Sequence, residues 1–105
     1  MVTHYGCSVD IFNPADGEML DVMLVDDAAR GRGERLSARV IDVLLRSDGD
    51  HKLLAVPLDG RPNLDGVRER IWSWYVEQRK PVMGWGGEDA ALALIRDCRA
   101  AQEVS

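Results

Sequence analysis

Every segment of this chain that carries a clear strand pattern precedes every segment that carries a strong helical stripe. Met19 to Val25 (MLDVMLV) is compact and apolar between charged or turn residues, and Lys52 to Val56 (KLLAV) is a strand that Pro57 stops. Leu64, Val67, Ile71, Trp74 and Tyr75 then share one helical stripe, with Asn63 as its cap and Pro81 beyond its end. A second helix runs from Glu88 to Gln102 on Ala91, Leu94, Ile95 and Cys98, with Glu88 and Asp89 placed to meet its N-terminal dipole. This order predicts an α+β fold: a twisted antiparallel sheet or partial barrel with two C-terminal helices packed on it.

The rest of the chain is less clearly patterned. Glu34 to Arg46 leans to helix on local pattern, because Leu36, Val40, Val43 and Leu44 fit a helical face while Asp42 spoils strand alternation. Residues 1–17 read as short and turn-rich on Asn13-Pro14 and Asp16-Gly17. Asp26 to Gly33 reads as a loop, and Val82 to Gly87 as a short extended connection whose Trp85 packs the second helix.

A length of 105 residues predicts a single domain, 1–105. Eighteen acidic residues against 13 basic ones leave a net charge of −5, the opposite of what phosphate contacts to nucleic acid require. No apolar run approaches the ~18 residues of a membrane span. The first residues, MVTHYGCSVD, have neither the basic nor the apolar region of a secretory signal. Cys7 and Cys98 lie far apart and read as two reduced thiols in the cytoplasm.

Carboxylates carry the chemical signal. Asp16, Glu18 and Asp21 fall within six residues, at a turn that leads into an apolar strand. Hard divalent cations take several oxygen ligands, and Mg²⁺ keeps waters beside a few carboxylates. A solvated acidic turn accounts for the same residues, and the stretch alone leaves both readings open. Asp48 and Asp50 follow, and on an extended chain they point the same way as Lys52. Two carboxylates beside an ammonium suit a cation and a phosphate oxygen, although a charged hairpin turn has the same residues. EF-hand spacing fails at both Gly17 and Gly49, and no zinc-finger, HExxH, GxSxG or Walker A pattern is present. Arg30-Gly31-Arg32-Gly33 resembles the pyrophosphate-binding loop of GNAT acetyltransferases, with Arg35 where that loop wants a small residue.

Taken in order, the motifs resemble soluble family I inorganic pyrophosphatases in a short form. Tyr5-Gly6 precedes the acidic turn. Asp16-Gly17-Glu18-Met19-Leu20-Asp21 resembles the D-x-D-x-x-D signature, with Glu for the middle Asp and Met19 for the usual proline. Asp50 to Pro57 matches D-x-K-x-x-A-V-P, Tyr75 sits on a late helix, and Gly84-Trp85 leads into an Ala-rich helix. The resemblance implies a small OB-like antiparallel barrel in which Glu34 to Arg46 is a strand. It implies that Asp16, Asp21 and Asp50 hold the tighter Mg²⁺ (or Mn²⁺) and that Asp48 helps Asp50 with a further ion. Glu18 takes the general-base position, and Tyr5, Lys52 and Tyr75 contact phosphate. The family's N-terminal phosphate-binding residues have no counterpart, and Val76 stands where a second lysine is common. Arg30, Arg32, Arg79 and Lys80 are the candidate substitutes.

The activity expected on this resemblance is Mg²⁺-dependent hydrolysis of pyrophosphate or a related phosphoanhydride. A pyrophosphatase-like binding or assembly module without catalysis, and the acetyltransferase, are the alternatives. An open sheet edge and a small core also predict a homo-oligomer.

Overall fold

The computed structural model describes residues 2–13, 18–26, 37–58 and 62–104, and the side chains of 20–25, 37–58 and 62–100. In chain order the elements are β1 (Val2–Asn13), β2 (Glu18–Asp26), β3 (Ala38–Leu45), β4 (Lys52–Pro57), α1 (Val67–Glu77), β5 (Gly84–Trp85) and α2 (Gly87–Val104). The α+β expectation, the two central strands and both helices agree with this order.

The strands form one sheet in the order β1-β2-β4-β3-β5. β1–β2, β3–β4 and β3–β5 pair antiparallel, whereas β2 and β4 run parallel. The sheet is therefore mixed, which corrects the antiparallel expectation. The cause is that β4 turns back from β3 into the place beside β2. Leu53, Leu54 and Ala55 pair on both sides, and all six β4 residues are buried, which is why KLLAV reads as a continuous apolar run. Among the described residues β1 and β5 stand at opposite ends of the pairing order, so the sheet is open and the expected barrel is not seen.

Two segments differ from their local patterns. The N-terminal stretch, expected to be turn-rich, is a 12-residue strand paired from Val2↔Asp26 to Cys7↔Asp21 and again at Phe12↔Met19. The alignment with β2 holds it extended, although its own sequence alternates poorly. The helical lean of Glu34 to Arg46 is overturned by β3, and the strand that the resemblance implied for this segment is observed over Ala38–Leu45. There Val40 pairs with Ala55 and Asp42 with Leu54, so Ile41 is the extra residue of a bulge. A bulge shifts the side-chain period by one, and the alternation fails at the residue that made the strand unattractive.

Alternation distributes the core over two faces. Met23, Val25, Leu44, Leu54 and Val56 pack with Val67, Ile71 and Tyr75 of α1. Leu20, Val43 and Leu53 pack with Ala91 and Cys98 of α2. Trp85 joins the α1 side, not α2 as expected. On α1 the stripe of Leu64, Val67, Ile71 and Tyr75 is complete without Trp74, which is exposed with Lys80 above its ring at 5.0 Å; Trp72 packs against the core instead. Asn63 Oδ1 accepts from the Asp65 backbone N–H at 3.0 Å, one turn ahead of the helix, and Gly66 at φ 72° is the residue at the cap itself. Among the described residues no helix is long and apolar enough to cross a membrane.

Candidate metal and phosphate site

Parallel pairing of Val22 with Leu53 puts Asp21 beside Lys52. Alternation carries both to the α1 face, with Met23 and Val25 on one strand and Leu54 and Val56 on the other. Lys52 is the first residue of β4 and its side chain is only 6% exposed. A cation drawn that far from water is stable only when paired. Its Nζ pairs with Asp21 Oδ2 and, at 2.8 Å, with Asp50 Oδ2.

The turn from β3 to β4 supplies the other carboxylates. The Gly49 N–H donates to Arg46 O at 3.2 Å, and Gly49 adopts φ 81°, which a glycine takes without strain. The Asp50 N–H donates to Asp48 Oδ1 at 3.0 Å. Both aspartates then meet Arg46. Its Nη2 lies 3.2 Å from Asp48 Oδ2 and its Nη1 3.4 Å from Asp50 Oδ2. Its Nε donates to Pro81 O at 3.1 Å, its guanidinium lies 5.4 Å from the centre of the Tyr75 ring, and its backbone N–H donates to His51 Nδ1 at 2.9 Å. Charges thus alternate from Asp48 through Arg46, Asp50 and Lys52 to Asp21. Three carboxylates against two cations leave one net negative charge.

Of the residues expected at the site, Asp21, Asp48, Asp50 and Lys52 come together, and the buried ring of Tyr75 joins them through Arg46. Asp16 lies outside the described residues. Tyr5 and Glu18 are placed by backbone register alone, opposite Met23 and Asn13, and their side chains lie outside the described set. Arg30 and Arg32 lie outside it as well, and with them the acetyltransferase-like loop. Arg79 and Lys80 are exposed beyond the end of α1. Sequence reasoning missed Arg46, whose only signal was its place between an apolar strand and an acidic turn.

Asp42 was also missed, as a polar anchor. It is buried, and its Oδ1 accepts from the backbone N–H groups of Val43 (2.7 Å) and Gly87 (2.8 Å). Its Oδ2 accepts from Arg68 Nε at 2.5 Å. One carboxylate therefore ties the start of α2 and the first turn of α1 to β3. A surface depression along α1, lined by Glu69, Arg70, Ser73, Trp74 and Glu77, shares no residue with either cluster.

The donors near Lys52 fit a hard divalent cation in kind. Asp21 and Asp50 already aim one oxygen each at a common positive centre, and the ammonium stands in for a cation there. Among the described residues no three His, Cys, Asp or Glu side chains are grouped as a metal site. A complete oxygen set would need donors beyond these two carboxylates.

No protein-family model and no curated protein matches the chain. Solved structures do. The inorganic pyrophosphatase from Neisseria gonorrhoeae is 27% identical at a TM-score of 0.73, over 91% of this chain and 66% of that one. Those from Ehrlichia chaffeensis and Thermus thermophilus are each 24% identical, with TM-scores of 0.74 and 0.72. These two matches cover 90% and 94% of this chain, and 67% and 68% of the others. The chain spans about two thirds of the length of these bacterial proteins. The likeness is one of fold, and at that level the chain is similar to inorganic pyrophosphatases.

Proposed function

We propose that this chain hydrolyses pyrophosphate, or a related phosphoanhydride, with Mg²⁺ as cofactor and Mn²⁺ as a substitute. The observation that carries the reading is the convergence of Asp21 and Asp50 on Lys52, on the sheet of a fold similar to inorganic pyrophosphatases. Asp21 and Asp50, with Asp16, hold the cation; when bound it screens phosphate charge and lowers the pKa of water. Lys52 offers its ammonium to a phosphate oxygen in exchange for a carboxylate. Glu18 accepts the proton of the attacking water, one P–O bond forms as the bridging P–O bond breaks, and phosphate leaves. Tyr5 and Tyr75 complete the phosphate contacts. We place the chain in the cytoplasm, as one 1–105 unit assembled into a homo-oligomer without nucleic acid or membrane.

One observation favours a second reading, a non-catalytic metal-binding module: Lys52 and Tyr75, two of the phosphate contacts, are both nearly buried. Phosphate release from pyrophosphate separates the two. Release that requires millimolar Mg²⁺ and stops with a chelator is expected; no release at any Mg²⁺ or Mn²⁺ concentration overturns the hydrolytic reading. Light scattering at low micromolar concentration tests assembly, and a mass near 11.7 kDa would reject the oligomer.

A further inference from the structure

We infer that Arg46 stands in for a second divalent cation at the Asp48–Asp50 pair, so that this site holds fewer metal ions than its carboxylates would otherwise take. The inference deepens the reading above and rests on its cation site at Asp21 and Asp50. The guanidinium reaches one oxygen of each aspartate, at 3.2 and 3.4 Å, and so supplies positive charge to both carboxylates at once. It is also fixed from other directions. Its Nε is bonded to Pro81 O, the Tyr75 ring lies beneath it, and its backbone N–H is bonded to His51.

Two physical points make this cation hard to displace. The Arg46 side chain is 8% exposed, so removing its carboxylates would strand a charge already withdrawn from water. Asp50 Oδ2 is shared by Arg46 Nη1 and Lys52 Nζ, so an ion between Asp48 and Asp50 has to displace Arg46, whereas one between Asp21 and Asp50 has to displace only Lys52. Asp21 differs, since its cationic partner is a lysine, a point charge on a flexible stem that can exchange a carboxylate for a phosphate oxygen. The metal therefore belongs on the Asp21 side of Asp50, and the Asp48 side is filled by the chain itself.

Calorimetric titration with Mn²⁺ counts the ions bound per chain in the full-length protein. Arg46→Gln is expected to bind one more ion than the wild type. Asp48→Asn in the wild-type background is expected to leave the count unchanged, and Arg46→Gln with Asp48→Asn to return it to the wild-type value. Equal counts in wild type and folded Arg46→Gln overturn the inference. So does loss of an ion in Asp48→Asn, an isosteric change at a half-exposed turn residue that does not depend on Arg46→Gln folding. Phosphate release on the same samples keeps the two readings apart. A gained ion in Arg46→Gln without hydrolysis in the wild type refutes the hydrolytic reading and leaves Arg46 in its role.

Discussion

Asp42 on β3 and the three carboxylates gathered at the β3–β4 turn and the start of β4 are built in opposite ways. Asp42 gives one oxygen to two backbone N–H groups, which cannot move far, and the other to Arg68 Nε. Asp21, Asp48 and Asp50 meet Lys52 and Arg46, cations on long stems, and their side chains are between 23% and 46% exposed against 4% for Asp42. Backbone donors hold a carboxylate wherever the fold puts it, whereas the lysine ammonium between Asp21 and Asp50 can be exchanged for another ion or offered to a phosphate. Asp42 anchors two helices. The cluster at Lys52 retains access to solvent and, in Lys52, one partner that can be replaced, while Arg46 stays fixed on its Asp48 side.

The contrast can be broken most sharply at Asp21. Asp21→Asn keeps the shape and an oxygen acceptor for Lys52 but removes the charge a metal requires. On the proposed function hydrolysis should fall about a thousandfold, while unfolding free energy without metal should fall by no more than about 2 kcal/mol, because Asp50 still pairs with Lys52. Steady-state assay and urea denaturation report the two numbers. A large stability loss with activity retained would reverse the assignment of roles.

Asp42→Ala should show the opposite profile. It leaves Arg68 and the Gly87 N–H without their acceptor and should lower stability by about 3 kcal/mol in urea unfolding. Mn²⁺ binding by the molecules that remain folded should match the wild type. A loss below 1 kcal/mol would mean that Asp42 is no anchor.

Lys52→Met sharpens the comparison from the cation's side. Asp21 and Asp50 would face each other without the ammonium, and stability without metal should fall by about 2 kcal/mol. Millimolar Mg²⁺ should restore most of that loss by mass action, raising the melting temperature more in the variant than in the wild type. Equal shifts in both proteins would show that the cation binds elsewhere.

The smallest effect concerns the ground beside Asp42. A Cβ on Gly86 would meet Ala90 Cβ and Val43 Cγ1, each at 2.9 Å. Gly86→Ala should therefore cost about 1–2 kcal/mol through strained packing of α2 on β3, with no change in metal binding. A neutral result in thermal denaturation would show that α2 can shift outward freely.

Asp48, Asp50 and Lys52 were legible together because their order along one turn and strand is a local fact, and local spacing survives folding. Arg46 was not legible. Its partners Pro81 and Tyr75 lie on later elements, and nothing in its immediate neighbourhood marks it off from a surface arginine. Asp42 misled for a related reason. A carboxylate inside a strand pattern counts against a strand unless a distant helix start turns toward it, and Gly87 is 45 residues away.

By itself the sequence determined the α+β order, both helices, the two apolar strands and the acidic turn, because each depends on periodicity or turn chemistry within a few residues. Only the tertiary structure decided that β4 lies parallel to β2, that the N-terminal stretch is a strand, and that a bulge at Ile41 keeps β3 extended. It also decided which cation each carboxylate meets. Strand pairing is a contact between distant parts of the chain, and a one-residue shift in it exchanges the faces of the sheet. No window of sequence contains that register, and the charges gathered around Lys52 follow from it.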